Sequence, residues 1–246
     1  MMSINFIRIL QESSYFVRNR YPIVVTFTVL YALNTLIFQL VMSANGGLEQ
    51  LQATPDKISS GVIFASFFNL ILSVMFNMWF ILTIDQVSTN RIGDIFSCIP
   101  TVLQKLLGFI GYNCVLILAL MPFIMGISIL GLQGGFALLV GGAFFLLVSG
   151  YLLTRVALLP YAYLLESKTK GFRNLLQFVN RRRETKVMVI YLLLVYLVPM
   201  LLSNVLVGFL GDALLVISTL VTAFINLFSL IFAYRFYRIY IKATTL

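Results

Sequence analysis

The sequence predicts an all-α membrane protein in which six transmembrane helices form one helical bundle. Of its 246 residues, 61% are hydrophobic and 10% are charged, whereas a soluble domain carries about 25% charged residues. Six apolar runs reach the roughly 20 residues that a helix needs to cross a bilayer core of about 30 Å. The runs are continuous and lack the alternation of a transmembrane strand, so each is expected to be a helix.

The predicted spans lie within a single integral membrane domain that covers the whole chain. They comprise residues 21–42, 61–84, 107–131, 134–158, 187–210 and 213–234. Lys, Arg, Asp and Glu are absent from them, apart from Arg155 near the end of the fourth. The first span is not expected to be a signal peptide, because its apolar run is longer than the roughly 7–15 residues typical of one.

Positive charge is distributed unevenly between the two sides of the predicted membrane. Sixteen of the 17 Lys and Arg residues fall on the side of the two chain termini, and the opposite side holds Lys57 alone. Because cytoplasmic loops carry the excess of Lys and Arg, the N- and C-termini are both expected in the cytoplasm.

Three short segments before the odd-numbered spans are predicted to be amphipathic helices in the membrane interface. These segments are residues 4–18, 91–104 and 171–181. Their apolar residues recur with helical spacing opposite polar ones, which favours three repeats of an interfacial helix followed by a transmembrane hairpin. The alternative is that any short segment before a span looks amphipathic without being a repeat. Pro100 is expected to break or kink the middle helix.

The densest positive charge stands directly before the fifth span. It consists of Arg181, Arg182, Arg183 and Lys186. One interpretation is a topological anchor that keeps this segment in the cytoplasm. The other is a contact site for anionic lipid headgroups, worth about 1 kcal/mol per basic residue. Nucleic acid is not expected as a partner, because the charge lies in juxtamembrane segments rather than on one folded basic face.

A few polar residues lie in or at the ends of the spans. Asp85 and Arg155 are placed near the cytoplasmic boundary, where they either snorkel to the interface, pair with each other or mark a functional site. Asn113 and Asn204 lie inside spans, as do Asn34 and Asn69. Such asparagines either join helices by hydrogen bonds or line a path for a polar solute. Span prolines such as Pro122 and Pro199 either kink a packed helix or help to build a binding site.

The sequence contains few residues suited to enzymatic catalysis. There is no histidine, no Walker loop and no pair of carboxylates at span depth. We therefore expect a non-enzymatic protein without a cofactor or a metal site. Cys98 and Cys114, 16 residues apart on one predicted helical stretch, are expected to be free thiols.

Several stretches resemble the YciC-like family of inner-membrane proteins from enteric bacteria, a family without an established activity. They are "SYFVRNRYPIVV", "QVSTNRIGDIFSCIPTVLQKLLGFI", "LMPFIMGISILG", "LLPYAYLLESKTKGFRNLLQF" and "FSLIFAYRFYRIYIK", which occur in the same order over nearly the whole chain. The stretch from Pro122 to Glu166 is also similar to the membrane domains of some glycerophosphodiester phosphodiesterases. The soluble catalytic domain of those enzymes is absent here, so their activity does not transfer. The resemblance implies a multi-pass protein of the bacterial inner membrane.

The function predicted from these patterns is non-enzymatic. The amphipathic segments and the basic fourth connection favour a role in envelope or membrane-lipid homeostasis through binding of anionic lipids on the cytoplasmic side. The alternative is a small-solute transporter or channel, which requires the span asparagines to face one wet cavity. The sequence gives no indication of protein partners.

Overall fold

The structure, a computed structural model, confirms the all-α class and the six membrane-spanning helices. It describes residues 5–44, 60–89, 95–131, 136–166, 171–180, 184–210 and 214–242. Within these ranges there is no β-strand. By length and apolar composition, six helical stretches are able to cross a membrane, so the chain is a multi-pass membrane protein.

Ten α-helices follow one another along the described residues. They are α1 (Phe6–Asn19), α2 (Tyr21–Ala44), α3 (Ser60–Ser88), α4 (Ile99–Gly131), α5 (Phe136–Val156), α6 (Leu159–Leu165), α7 (Phe172–Asn180), α8 (Thr185–Leu192), α9 (Val198–Leu210) and α10 (Leu215–Lys242). A 3₁₀ turn at Ile95–Cys98 precedes α4, and a π-helical segment at Leu193–Leu197 joins α8 to α9. The fifth span therefore consists of α8, the π segment and α9.

The interfacial helices are only partly as predicted. α1 and α7 form before the first and fifth spans, with buried apolar residues on one side. The prediction of a separate middle helix at 91–104 is wrong over its described part. The turn at Ile95–Cys98 runs directly into α4, so this segment is continuous with the third span. Pro100 does not break this helix, since it occupies the first turn of α4, where a proline leaves no hydrogen bond unmade.

The fourth span ends differently from the prediction. Its helix stops at Val156, and a short turn leads into α6, whose first turn contains Pro160. The buried residues Leu158, Leu159 and Ala162 lie in this turn and in α6. The span predicted to finish at residue 158 therefore continues as a buried helix to Leu165.

The buried core lies toward one end of the spans, the end at which α1 begins and α10 finishes. We call this end the terminal side. Contacts there join the start of one span to the finish of another: Phe27 packs on Phe80 at 4.9 Å between ring centroids, and Tyr191 on Phe236 at 4.4 Å. Many apolar side chains toward the opposite end are exposed, as expected for surfaces that face lipid tails.

Small residues allow α4 and α5 to approach closely on the side away from this core. A Cβ atom at Gly126 would lie 2.9 Å from the carbonyl oxygen of Gly142. Nearby, the Ser149 hydroxyl donates to the carbonyl of Ala119 at 2.8 Å. Close packing of this kind, rather than the hydrophobic effect, holds helices together inside a membrane.

Polar side chains join α2 to α3. The amide of Asn34 donates to Asn69 Oδ1 at 2.7 Å and to Ser73 Oγ at 3.3 Å. The Tyr31 hydroxyl donates to Asn77 Oδ1. These contacts match the helix–helix interpretation of the span asparagines.

We expect Asn69→Ala to lower the free energy of unfolding by about 0.6 kcal/mol, the average for a hydrogen bond between membrane helices. The substitution removes the nearer of the two acceptors of the Asn34 amide. Asn204→Ala is the matched control, because Asn204 is exposed and both changes alter helix propensity equally. Equal effects of the two variants on unfolding in detergent would contradict the assignment.

Candidate functional site: a charged cluster and two apolar grooves

A charged cluster lies on the terminal side where α3 meets α10. The guanidinium of Arg238 forms an ion pair with Asp85, and the Tyr234 hydroxyl donates to the same carboxylate at 2.8 Å. Arg238 Nε donates to the Tyr234 oxygen at 3.1 Å, which closes a triangle of three side chains. The Arg238 and Asp85 side chains are 17% and 25% exposed, so each charge is partly removed from water and relies on the other.

The chain segment after α6 joins the same layer. Tyr237, one turn from Tyr234 on α10, donates its hydroxyl to Glu166 at 3.1 Å. Lys105 on α4 donates to the carbonyl of Leu164 at 3.1 Å, close to the end of α6. The layer thus connects the second, third, fourth and sixth spans. We call Asp85, Glu166, Tyr234, Tyr237 and Arg238 the charged cluster.

Sequence reasoning singled out Asp85 but missed its partner. Arg238 was placed in a C-terminal tail, because the predicted sixth span ended at residue 234. The structure instead continues α10 to Lys242. Tyr234, Tyr237 and Arg238 recur at i, i+3 and i+4, a helical spacing that carried the missing signal.

Arg155 does not pair with Asp85, as one interpretation of the sequence had it. Its guanidinium donates to the Tyr151 hydroxyl at 2.8 Å, one turn earlier on α5, and lies 5.1 Å from that ring's centroid. Its backbone carbonyl accepts a bond of 3.2 Å from the amide of Asn180 on α7. The guanidinium therefore packs back along its own helix, and the backbone of Arg155 helps to seat α7.

Only part of the basic segment 181–186 lies within the described residues. Arg181, Arg182 and Arg183 lie outside the described residues. Lys186 lies in the first turn of α8 and is exposed. Two residues earlier, the backbone N–H of Glu184 donates to the Tyr240 hydroxyl at 2.8 Å, which ties the start of the fifth span to the end of the sixth.

The remaining asparagines predicted as candidates lie in different surroundings. The Asn113 amide donates to the carbonyl of Phe109 within α4 at 2.8 Å. Asn204 is exposed on α9. The described hydrogen bonds therefore join Asn34 to Asn69, but they do not link either one to Asn113 or Asn204.

α1 is held across the terminal end of α10. Ile9, Ser13 and Phe16 are buried there, and the Arg235 guanidinium lies 5.6 Å from the centroid of the Phe16 ring. The other faces of α1 are exposed and carry both apolar residues and arginines. These exposed residues are Ile7, Arg8, Leu10, Tyr15 and Arg18.

An apolar groove of about 500 Å³ opens between α1, the fifth span and α10. Thirteen described residues line it, and Arg18 is the only charged one among them. Its walls include Leu194 in the π segment and Pro199 in α9. A proline removes a backbone donor and clashes with the carbonyl four residues earlier, which accounts for irregular helix at this point. We call this cavity the long groove.

A second apolar groove of about 200 Å³ lies beside the first, between α2 and α10. Val17 and Phe224 line both grooves, so the two share an edge. We call this cavity the short groove. Neither groove was predicted, because each is assembled from helices distant in sequence.

No protein-family model, no curated protein and no solved structure matches the chain.

Proposed function

We propose that this multi-pass membrane protein acts on the bilayer itself, as a non-enzymatic protein of the bacterial inner membrane that binds anionic lipids at its cytoplasmic face. Its role is in envelope or membrane-lipid homeostasis. The observation that carries the proposal is α1, which is anchored by Phe16 and Ile9 and exposes apolar side chains together with arginines. A helix with this surface suits the layer where acyl chains meet anionic headgroups.

The charge distribution supports the orientation. The predicted topology assigns sixteen of the 17 basic residues to the side of the chain termini, and anionic lipids give the cytoplasmic leaflet its negative surface potential. Lys186, which is exposed in the first turn of α8, then lies beside the same headgroup layer. The resemblance to YciC-like inner-membrane proteins favours the same location.

The test is lipid retention measured by native mass spectrometry of protein purified in mild detergent. Replacing Arg181, Arg182, Arg183 and Lys186 by glutamine is expected to lower binding of phosphatidylglycerol at least tenfold, because each basic residue contributes about 1 kcal/mol. Lys57→Gln, on the opposite side, is the control and is expected to have no effect. Unchanged binding in the four-residue variant would show that the segment is a topological anchor only.

Membrane orientation must be checked in the same variant, since these residues also direct insertion. The two native cysteines, Cys98 and Cys114, are first replaced by serine, and a single cysteine is then added near the C-terminus. Labelling of that cysteine by a membrane-impermeant reagent is expected only after the membrane is opened.

A further inference from the structure

We infer that the long groove and the short groove together form a specific binding site for one anionic diacyl phospholipid from the terminal-side leaflet. This inference rests on the proposed function but concerns a site separate from the basic segment. One acyl chain occupies the long groove, the other follows the short groove, and the phosphate lies at Arg18.

The length of the long groove along the helices is close to the thickness of one leaflet of the bilayer core. On the fifth span its lining runs from Leu194 to Leu202, and on α10 it runs from Phe232 to Phe224. Each stretch covers eight residue steps, or about 12 Å at 1.5 Å per residue. Half of a bilayer core is about 15 Å. The groove therefore extends from the terminal side to near the middle of the membrane, as an acyl chain does.

The groove is open along one side, which allows a chain to enter from the bilayer. Leu10, Val198 and Leu202 line it and are exposed. Ten of the thirteen described lining residues are apolar, the others being Ser14, Arg18 and Ser229. The volume of about 500 Å³ falls in the range of small-ligand sites, roughly 300–1,000 Å³.

Charge selects the headgroup. Arg18 lies in the last turn of α1 and lines the long groove, and no acidic residue is among the described lining of either groove. Arginine binds phosphate oxygens through paired N–H donors. Because the adjacent Val17 lines both grooves, a headgroup at Arg18 is close to the start of each.

The irregular fifth span forms part of the wall of the long groove. Single-turn π segments within helices occur frequently at functional sites. Here the segment Leu193–Leu197 places Leu194 in the wall of the long groove, and Val198 and Pro199 follow directly.

The experiment is a titration of the detergent-purified full chain with phosphatidylglycerol, followed by native mass spectrometry. Leu202→Trp fills the groove and is expected to weaken binding at least tenfold. Leu201→Trp is the matched control, since Leu201 is the adjacent residue, is outside the groove lining and has a similar exposure, 53% against 49%. Equal affinities of the two variants would overturn the inference.

The headgroup is tested with Arg18→Gln against Arg20→Gln, an exposed arginine two residues away that does not line the grooves. Arg18→Gln is expected to weaken phosphatidylglycerol binding about fivefold, which corresponds to about 1 kcal/mol, and to leave phosphatidylcholine binding unchanged. Arg20→Gln is expected to change neither.

Weaker binding of lysophosphatidylglycerol than of the diacyl lipid is expected if both grooves hold a chain, and equal binding would overturn the two-chain arrangement.

A mapping experiment on the unaltered chain covers the case in which a tryptophan variant fails to fold. Phosphatidylglycerol with a photoreactive group on its chain is expected to label residues 194–202 and 224–232, and labelling confined to other segments would overturn the site. If phosphatidylglycerol binds and only the glutamine variant of Arg181, Arg182, Arg183 and Lys186 binds it more weakly, the groove site is wrong and the proposed function stands. If the chain shows no preference for phosphatidylglycerol over phosphatidylcholine, both fail.

Discussion

Asp85→Ala is expected to lower the free energy of unfolding by about 2 to 3 kcal/mol. Removing one member of a fully buried ion pair costs about 3–5 kcal/mol, because the remaining charge loses its partner. The Arg238 side chain is 17% exposed, so we expect a value below that range. The Tyr234 hydroxyl also loses its acceptor in this variant.

The measurement is the unfolding of the purified protein in mixed detergent, followed by circular dichroism. Glu12→Ala is the control, because Glu12 forms an exposed pair with Arg8 within α1, and such pairs contribute about 0.3–0.5 kcal/mol. The double variant Asp85→Ala/Arg238→Met is expected to recover part of the loss, since no uncompensated charge remains. Equal effects of Asp85→Ala and Glu12→Ala would contradict a structural role for the charged cluster.

Gly126→Val is expected to lower the free energy of unfolding by about 2 kcal/mol. The new side chain meets the carbonyl oxygen of Gly142, and a Cβ atom alone would lie 2.9 Å from it. Backbone cannot move aside as a side-chain tip does, so α4 and α5 must separate. Overpacking of this kind typically costs about 1–3 kcal/mol.

The matched control is Gly111→Val, on the same helix, where an added Cβ meets no atom within 4 Å. This change is expected to be neutral or slightly stabilising, because glycine is a poor helix former. The same unfolding measurement compares the two variants. A similar loss in both would show that helix propensity, rather than the contact between α4 and α5, determines the effect.

The charged cluster and the grooves lie in different parts of the protein. The cluster joins α3, the end of α6 and α10 through partly buried polar contacts, and these stabilise the terminal side. The grooves lie outside this layer, on surfaces open to the bilayer. Occupation of the grooves by a lipid, as we propose, therefore does not require the charged contacts to break.

Some features were predictable because their signal is local. Bilayer thickness sets the length of an apolar run, so the six spans followed from hydropathy alone. α1 and α7 followed from helical periodicity over one short segment. Asp85 stood out because a carboxylate at the end of an apolar run needs a partner. The extension of the fourth span through α6 was not predicted; α6 begins at Leu159, with Pro160 in its first turn.

By itself, the sequence determined that this is an all-α protein with six helices able to span a membrane, and it predicted which side carries the positive charge. Only the tertiary structure decided that Asp85 pairs with Arg238 rather than Arg155, and that Arg18 lines an apolar groove. The physical reason is that hydropathy and periodicity act over one helix, whereas a pair or a groove depends on how helices distant in sequence pack. Inside a membrane that packing depends on close fit and a few polar contacts, which leave little trace in a run of apolar residues.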